Sequence, residues 1–265
     1  MFTVDEITKM PYFDFLAHLD EHNRPPGGKD TLRLLVQNTF ISEKSKVLVV
    51  ACNSGYSTFE VAHLSKCKIT GLDINKEAIK TAGKFLKKYH KDLKGRVNFV
   101  VGDGSELPFK DNAYDLTFSA GGTAFIPDFK KALREYERVT KPWGFVADII
   151  FFNHSKAPDS VLNNINNLIG TNFKHRSMEY WIEQYKNTGL EVYYYIHEKL
   201  TPASQQKIKD YCHSLVDQKD WSEEVKKIAF KRLYLLMDLF NENHKYLSYG
   251  VFIMRKRPYP EVTLF

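Results

Sequence analysis

From residue 46 to residue 152 the sequence alternates short β-branched or apolar runs with stretches of helical periodicity, and this alternation constrains the fold more than any other feature. The runs are 46–51 (KVLVVA), 67–72, 97–101, 114–118 and 145–152. Helix-like segments fall at 56–64, after Asn75, and at 128–140. Asn75 caps the second of these, with Glu77 in its first turn, and Ala78, Ala82 and Phe85 share one face. In the third, Leu133, Tyr136 and Val139 fall on one side. Nearly continuous apolar runs between helices are the pattern of parallel strands covered on both faces.

The last third changes character. Residues 177–187 read as a helix stopped by Gly189, and 192–196 as a tyrosine-rich strand. Two helices follow, at 202–216 and 223–240. The second places Val225, Ile228, Ala229, Leu236 and Phe240 on one face, and Asp220 with Glu223 reads as its capping box. Residues 249–254 form a closing strand. The Asn-rich stretch 163–172 reads as a mobile connection.

Charge and cysteine usage narrow the function. The formal net charge is +6, with Lys and Arg scattered and the densest basic run, Arg255-Lys256-Arg257, near the end. A nucleic-acid binder concentrates its charge on one face, so no nucleic-acid partner is expected. Cys52, Cys67 and Cys212 are odd in number and lack CxxC spacing, which argues against a disulfide framework and a metal site. Residues 1–10 carry acids and no apolar run, unlike a signal peptide. No stretch approaches the roughly 18 apolar residues of a membrane span. A soluble cytoplasmic chain without a membrane partner is expected, as monomer or homodimer.

Four features then fall in a fixed order, each at the carboxyl end of a strand, where open α/β sheets bind ligands. A small-residue turn precedes a helix within 47–62, so a ligand can approach backbone amides. Asp73 ends the next strand, where a carboxylate can accept both hydroxyls of a ribose. Gly102-Asp103 follows the third strand, and an acid there can accept from an adenine amino group. Phe118-Ser119-Ala120-Gly121-Gly122 follows the fourth, leaving room for a ligand beside backbone carbonyls. Singly these are ordinary turns and helix caps. Together they point to a nucleoside-containing cofactor. Cys52–Ser57 lacks the glycines of a GxGxxG dinucleotide fingerprint.

Residues 102–115 read GDGSELPFKDNAYD and residues 132–144 read ALREYERVTKPWG. These resemble the G-D-x-x-x-L-P-F-x-D-x-x-F-D and A-L-x-E-x-x-R-V-L-K-P-G-G motifs of class I S-adenosylmethionine (SAM)-dependent methyltransferases, in the branch that includes the ubiquinone and menaquinone C-methyltransferases. The resemblance covers about residues 46–152, with a weaker echo in 179–190. It implies an α/β fold: a Rossmann-like, seven-stranded, mostly parallel sheet in the order 3-2-1-4-5-7-6, with helices on both faces and a helical insertion before the last strand. It also implies SAM as cofactor. Ala51, Asn53 and Gly55 would line the methionine and ribose, Asp73 would hold the ribose hydroxyls, and Ile74 would lie on the adenine. Asp103 would meet the adenine amino group beside Gly104, and Ser119 would offer its carbonyl to the ammonium.

The first motif departs from the family's D-x-G-x-G-x-G, reading Val49-Val50-Ala51-Cys52-Asn53-Ser54-Gly55. Asn53 tolerates a left-handed backbone, and Ala51 is a small change provided its φ is negative. Without an acid at 49, the amino end of SAM is expected to be held by carbonyls and by the N-terminal segment.

The resulting division is an N-terminal helical cap (1–44), a SAM-binding core (45–198), a helical insertion acting as substrate lid (199–247), and a last core strand with its tail (248–265). In the family's sheet order the insertion leaves and returns at the cofactor edge, and long insertions there tend to be functional. The N-terminal segment, with Arg24-Pro25-Pro26-Gly27-Gly28, is expected to close the other side. Methyl transfer mainly needs positioning and exclusion of water, so no strong catalytic residue is demanded. His154, after the fifth strand, is a candidate base or substrate contact, against the reading of an exposed loop histidine. Tyr12, His18 and His22 are weaker candidates, and Tyr193, Tyr194 and Tyr195 read as strand packing. The expected function is methyl transfer to a small-molecule acceptor. The alternative is an inactive SAM-fold binding or regulatory protein, motivated by the altered first motif.

Overall fold

A computed structural model describes residues 2–259. The chain begins with α1 (Val4–Lys9), α2 (Tyr12–His18) and α3 (Lys29–Thr39). The alternating core follows: β1 (Lys46–Val50), α4 (Tyr56–Ser65), β2 (Lys68–Asp73), α5 (Lys76–Tyr89), β3 (Val97–Val101), β4 (Tyr114–Ala120), α6 (Phe129–Val139) and β5 (Thr140–Asn153). Then come α7 (Asp159–Ile169), α8 (Met178–Lys186), β6 (Glu191–Lys199), α9 (Gln205–Val216), α10 (Glu223–His244) and β7 (Leu247–Arg255).

The strands form one seven-stranded sheet in the order β3-β2-β1-β4-β5-β7-β6. Only β7 runs antiparallel to its neighbours. Val47, Leu48, Val49 and Val50 are all buried, because helices cover both sides of β1. One apolar cluster joins the sheet to α3, α4 and α5, and a second joins its other face to α6 and α8. Local chemistry sets the helix starts. The Asn75 side chain accepts from Ala78 N, and that of Asp128 from Lys131 N.

Two local expectations are corrected. The Asn-rich stretch is not a mobile connection but most of α7, because Ile165 and Ile169 bury an apolar stripe. Asn166 then closes the helix end, donating to Phe173 O and accepting from Phe173 N and Thr171 Oγ1. The cap of α10 is Ser222, which accepts from Val225 N, and not Asp220. A cap must stand immediately before the first helical residue, and Asp220 lies two positions too early.

A third apolar cluster lies outside the sheet and brings together α1, α2, α7, α9 and α10 around Ile7, Phe15, Ile165, Cys212 and Leu233. Segments from both ends of the chain thus share one helical core. Residues 200–246 leave and return beside the carboxyl end of β5, because Lys199 pairs with Ser248 and Asn153 with Leu247. No helix among the described residues is long and apolar enough to cross a membrane.

Candidate cofactor site and its cap

The carboxyl ends of β1 and β4 flank the point where the chain changes direction through the sheet, the usual ligand crevice of such folds. The turn after β1 contains three left-handed residues, Ala51 (φ 55°), Asn53 (φ 49°) and Gly55 (φ 92°). The condition under which alanine at 51 would be a small change, a negative φ, is therefore not met. The turn needs the conformation a glycine would supply, and alanine holds it at a cost of about 1–2 kcal/mol. Asn53 fits as expected, and its side chain accepts from Ser54 N at 2.6 Å.

Asp73 ties this turn to the end of β2. Its two carboxylate oxygens accept from Asn53 N at 2.8 Å and Asn75 N at 2.9 Å. Burial pushes its carboxyl above the ordinary value, and these backbone N–H groups oppose the shift. The next residue, Ile74, is 70% exposed, an apolar side chain left open beside the acid. Across the edge, Asp103 is exposed, and one of its oxygens accepts from Ser105 N and Oγ, each at 2.8 Å. The other has no hydrogen bond among the described residues.

Close backbone approach explains two glycines. A Cβ on Gly104 would stand 2.7 Å from Val50 Cγ1 and 2.8 Å from Ile126 Cδ1. One on Gly122 would stand 2.3 Å from Ala51 Cβ. The turns after β1 and β4 are thus packed against each other. Ser119 is buried, and its hydroxyl accepts from Gly122 N at 3.2 Å.

Arg138 holds the long motif together. It donates to Leu107 O at 3.0 Å and Phe109 O at 2.9 Å, and it pairs with Glu135 and Asp111, each at 2.7 Å. Glu135 in turn accepts from Leu107 N at 2.8 Å. The two stretches that carry the resemblance are therefore one physical unit, which fixes the loop bearing Asp103 and Gly104.

The N-terminal segment lies over this edge. Asp14 accepts from Asn75 Nδ2 at 2.6 Å, and Glu21 O accepts from Ser54 Oγ at 2.8 Å. Pro26 lies against Gly121, 3.2 Å from where a Cβ would stand. The insertion joins it: Tyr211 Oη donates to the Glu21 carboxylate, and Lys219 pairs with Asp20 at 2.5 Å. Phe125, just past Gly122, meets Phe13 of α2 at 5.6 Å between ring centroids and Phe173 at 4.8 Å.

Ala51, Asn53, Gly55, Asp73, Ile74, Asp103, Gly104 and Ser119 thus share one edge of the sheet. His154, just past the carboxyl end of β5, lies on the same edge of the sheet but on its β7 side. It is exposed, its backbone donates to Tyr246 O, and its Nδ1 lies 3.2 Å from Ser248 Oγ on β7, away from the β2–β3 side that carries Asp73 and Asp103. Tyr12 packs among Phe13 and Phe240, His18 against Phe2, and His22 against Phe85 and Tyr56. Tyr194 packs on the core, whereas Tyr193 and Tyr195 stand partly exposed. Sequence reasoning missed Asp14 and Glu21, which carried no local signal. It also missed Asp148, whose signal was an acid inside the apolar run FVADIIFF.

The cysteines are free and buried, and no cluster of His, Cys, Asp and Glu suited to a metal ion occurs among the described residues.

Comparison with known proteins agrees with the geometry. Residues 48–148 match the methyltransferase domain family. An uncharacterized protein of Haemophilus influenzae is 27% identical over 67% of this chain and 70% of its own length. A ubiquinone/menaquinone biosynthesis C-methyltransferase of Rickettsia typhi is 34% identical over 49% of this chain, which spans only 54% of that enzyme. The crystal structure of the MccD protein superposes with a TM-score of 0.74 at 23% identity, covering 89% of this chain and all of that one, a likeness of fold. Residues 48–148 thus carry a match to the methyltransferase domain family, within a sheet whose strand order is the one the resemblance to class I SAM-dependent methyltransferases implies.

Proposed function

We propose that this chain catalyses SAM-dependent methyl transfer to a small-molecule acceptor held beneath the helical cap. The observation that carries the reading is the set at the strand ends: a buried acid, Asp73, an exposed apolar residue, Ile74, and a second acid with a free oxygen, Asp103. These match the needs of a ribose diol, an adenine face and an adenine amino group. The residues present fit the cofactor, because Gly104 and Gly122 keep Cβ atoms out of the crowded floor of the crevice. Ala51, Asn53 and Gly55 line its methionine and ribose, and Ser119 offers a carbonyl to its ammonium. When bound, SAM supplies a methyl group activated by sulfonium.

The chain's own residues orient and enclose. Pro26 and the Glu21–Ser54 bond close the N-terminal segment over the crevice, and the Tyr211–Glu21 bond fastens the insertion to it. A site so covered excludes water and fixes an acceptor for in-line attack. No residue is assigned as base, and His154 is left to its bond with Ser248. The ring group of Phe13, Phe125 and Phe173 at the junction of crevice and cap favours an acceptor with aromatic or amphipathic character. We place the chain in the cytoplasm, where three unpaired buried thiols are at home. We divide it functionally into a sheet core and a cap built from both its N-terminal segment and its insertion.

The strained Ala51 and the valine at 49 favour a second reading, a SAM-fold protein that binds without turnover. Calorimetric titration tests both. Micromolar binding of SAM and S-adenosylhomocysteine (SAH), with none of NAD, supports the cofactor, and its weakening by Asn53→Leu supports the placement. Absence of SAM binding refutes the proposal. Binding without methylation across an acceptor panel leaves the second reading in possession.

A further inference from the structure

Asp148 is the one charged residue in the apolar run of β5, and it is fully buried. One carboxylate oxygen accepts from Thr123 Oγ1 at 3.0 Å and the other from Tyr185 Oη at 3.1 Å. The groups that face it are Ser119 across β4 and Phe252 across β7 by register, Thr123 from the turn after Gly122, Tyr136 from α6 and Tyr185 from α8. No lysine, arginine or histidine among the described residues pairs with it. The titratable neighbours are the two tyrosines, whose burial keeps them neutral.

A carboxylate buried without a cation costs the fold free energy that an asparagine would not, and such uncompensated acids gather at functional sites. Its surroundings indicate which site. Thr123 follows Gly121 and Gly122 directly, its hydroxyl lies 3.5 Å from Tyr136 Oη, and Gly122 N bonds to Ser119 Oγ. Asp148 therefore stands one strand over from Ser119, behind the backbone of 119–122. β1 offers no acid of its own, since Val49 occupies the place where the family motif has aspartate.

We propose that Asp148 is a positioning residue whose negative charge, held behind the 119–122 turn by Thr123 and Tyr185, favours the cationic cofactor over its neutral product and so aids product release. The inference rests on the cofactor reading above. SAM carries a sulfonium charge that SAH lacks, and a fixed buried anion acts on that difference. Burial raises the Asp148 carboxyl to about 7, so the charge is lost below neutrality and present above it. Reciprocity then requires that binding of SAM expel the Asp148 proton more strongly than binding of SAH.

The test is calorimetric titration of the full chain with SAM and with SAH from pH 6 to 8, in buffers of differing ionisation heat so that protons are counted. The affinity ratio of SAM to SAH should rise by about 3- to 10-fold with pH, and SAM should release the more protons near pH 7. Asp148→Asn should give a flat ratio and no excess release. Tyr185→Phe removes a donor to the ionised acid and should move the rise to higher pH, a displacement that a purely structural role would not produce. A flat ratio in the parent protein, or a rise that survives Asp148→Asn, overturns the inference alone. Failure to bind either ligand at any pH overturns the cofactor reading and this inference with it.

Discussion

The contact between Ala51 and Gly122 permits a sharp test of how the two crevice turns are built. Gly122 has φ −91° and ψ −28°, a conformation open to any residue, so alanine there suffers no backbone penalty. Its cost is steric. The new Cβ would stand 2.3 Å from Ala51 Cβ, with Ser119 Oγ at 3.0 Å and Ala51 O at 3.3 Å. Overpacking of this kind costs about 1–3 kcal/mol. Ala51→Gly acts differently. It relieves a left-handed alanine, worth about 1–2 kcal/mol, against about 0.4–1 kcal/mol of added unfolded-state entropy. The single variant should therefore be more stable by about 0.5–1 kcal/mol. In the double variant the 2.3 Å clash is gone and the nearest obstacle is a hydroxyl oxygen at 3.0 Å. Gly122→Ala should then cost at least about 1 kcal/mol less than it does alone. Urea unfolding of the four proteins, followed by circular dichroism and fluorescence, measures the cycle. The reasoning is refuted if Gly122→Ala costs the same in both backgrounds, or if Ala51→Gly destabilises.

Other expectations follow from single groups. Arg138→Ala removes donors to Leu107 O and Phe109 O and strands Glu135, so thermal denaturation should report a loss of about 1–3 kcal/mol, and SAM titration a weaker affinity as the Asp103 loop loosens. Tyr211→Phe breaks the bond to Glu21; acceptor KM should rise severalfold while SAM affinity changes less than about twofold, because the cap and not the cofactor turn is unlatched. For Asp148, the folded state retains a proton up to about pH 7, whereas a free aspartate loses it near 3.8. Between those values the folded protein binds more protons, so this group's contribution falls as pH rises, by up to about 4 kcal/mol. Asp148→Asn should lack that fall, and the stability of the variant relative to the parent should grow from pH 4 to pH 8 in urea titrations. Deleting the two insertion helices is not a clean test of the lid, because they share an apolar core with α1, α2 and α7, which the deletion would expose.

Much of the architecture was legible because it is written locally. The alternation of apolar runs and helical stripes identified the core strands, and the caps at Asn75 and Asp128 stand where side chain and helix start are neighbours in sequence. The order of Ala51, Asp73, Asp103 and Ser119 was legible for the same reason: each follows its own strand, and strand ends in a parallel sheet fall on one edge. Parts of the last third and the N-terminal segment were less legible. α7 was hidden by its asparagines, since only the distant apolar cluster makes Ile165 and Ile169 a buried face. The cap is a single unit assembled from both ends of the chain, and no local pattern records which helices will share a core. The φ of Ala51 is imposed by the closure of its turn onto β2 and onto Gly122, against the preference of the residue itself. The charge of Asp148 was plain in the sequence, but its meaning depended on what surrounds it. Only the packing of β4, α6, α8 and β7 around that carboxylate decides that it meets two hydroxyls and, among the described residues, no cation. The sequence by itself thus determined the strands, the helix starts near them and the sheet edge that gathers the candidate residues, because those follow from short-range periodicity. The tertiary structure decided the cap, the strained turn and the environment of the buried acid, because each depends on contacts between segments far apart in the chain.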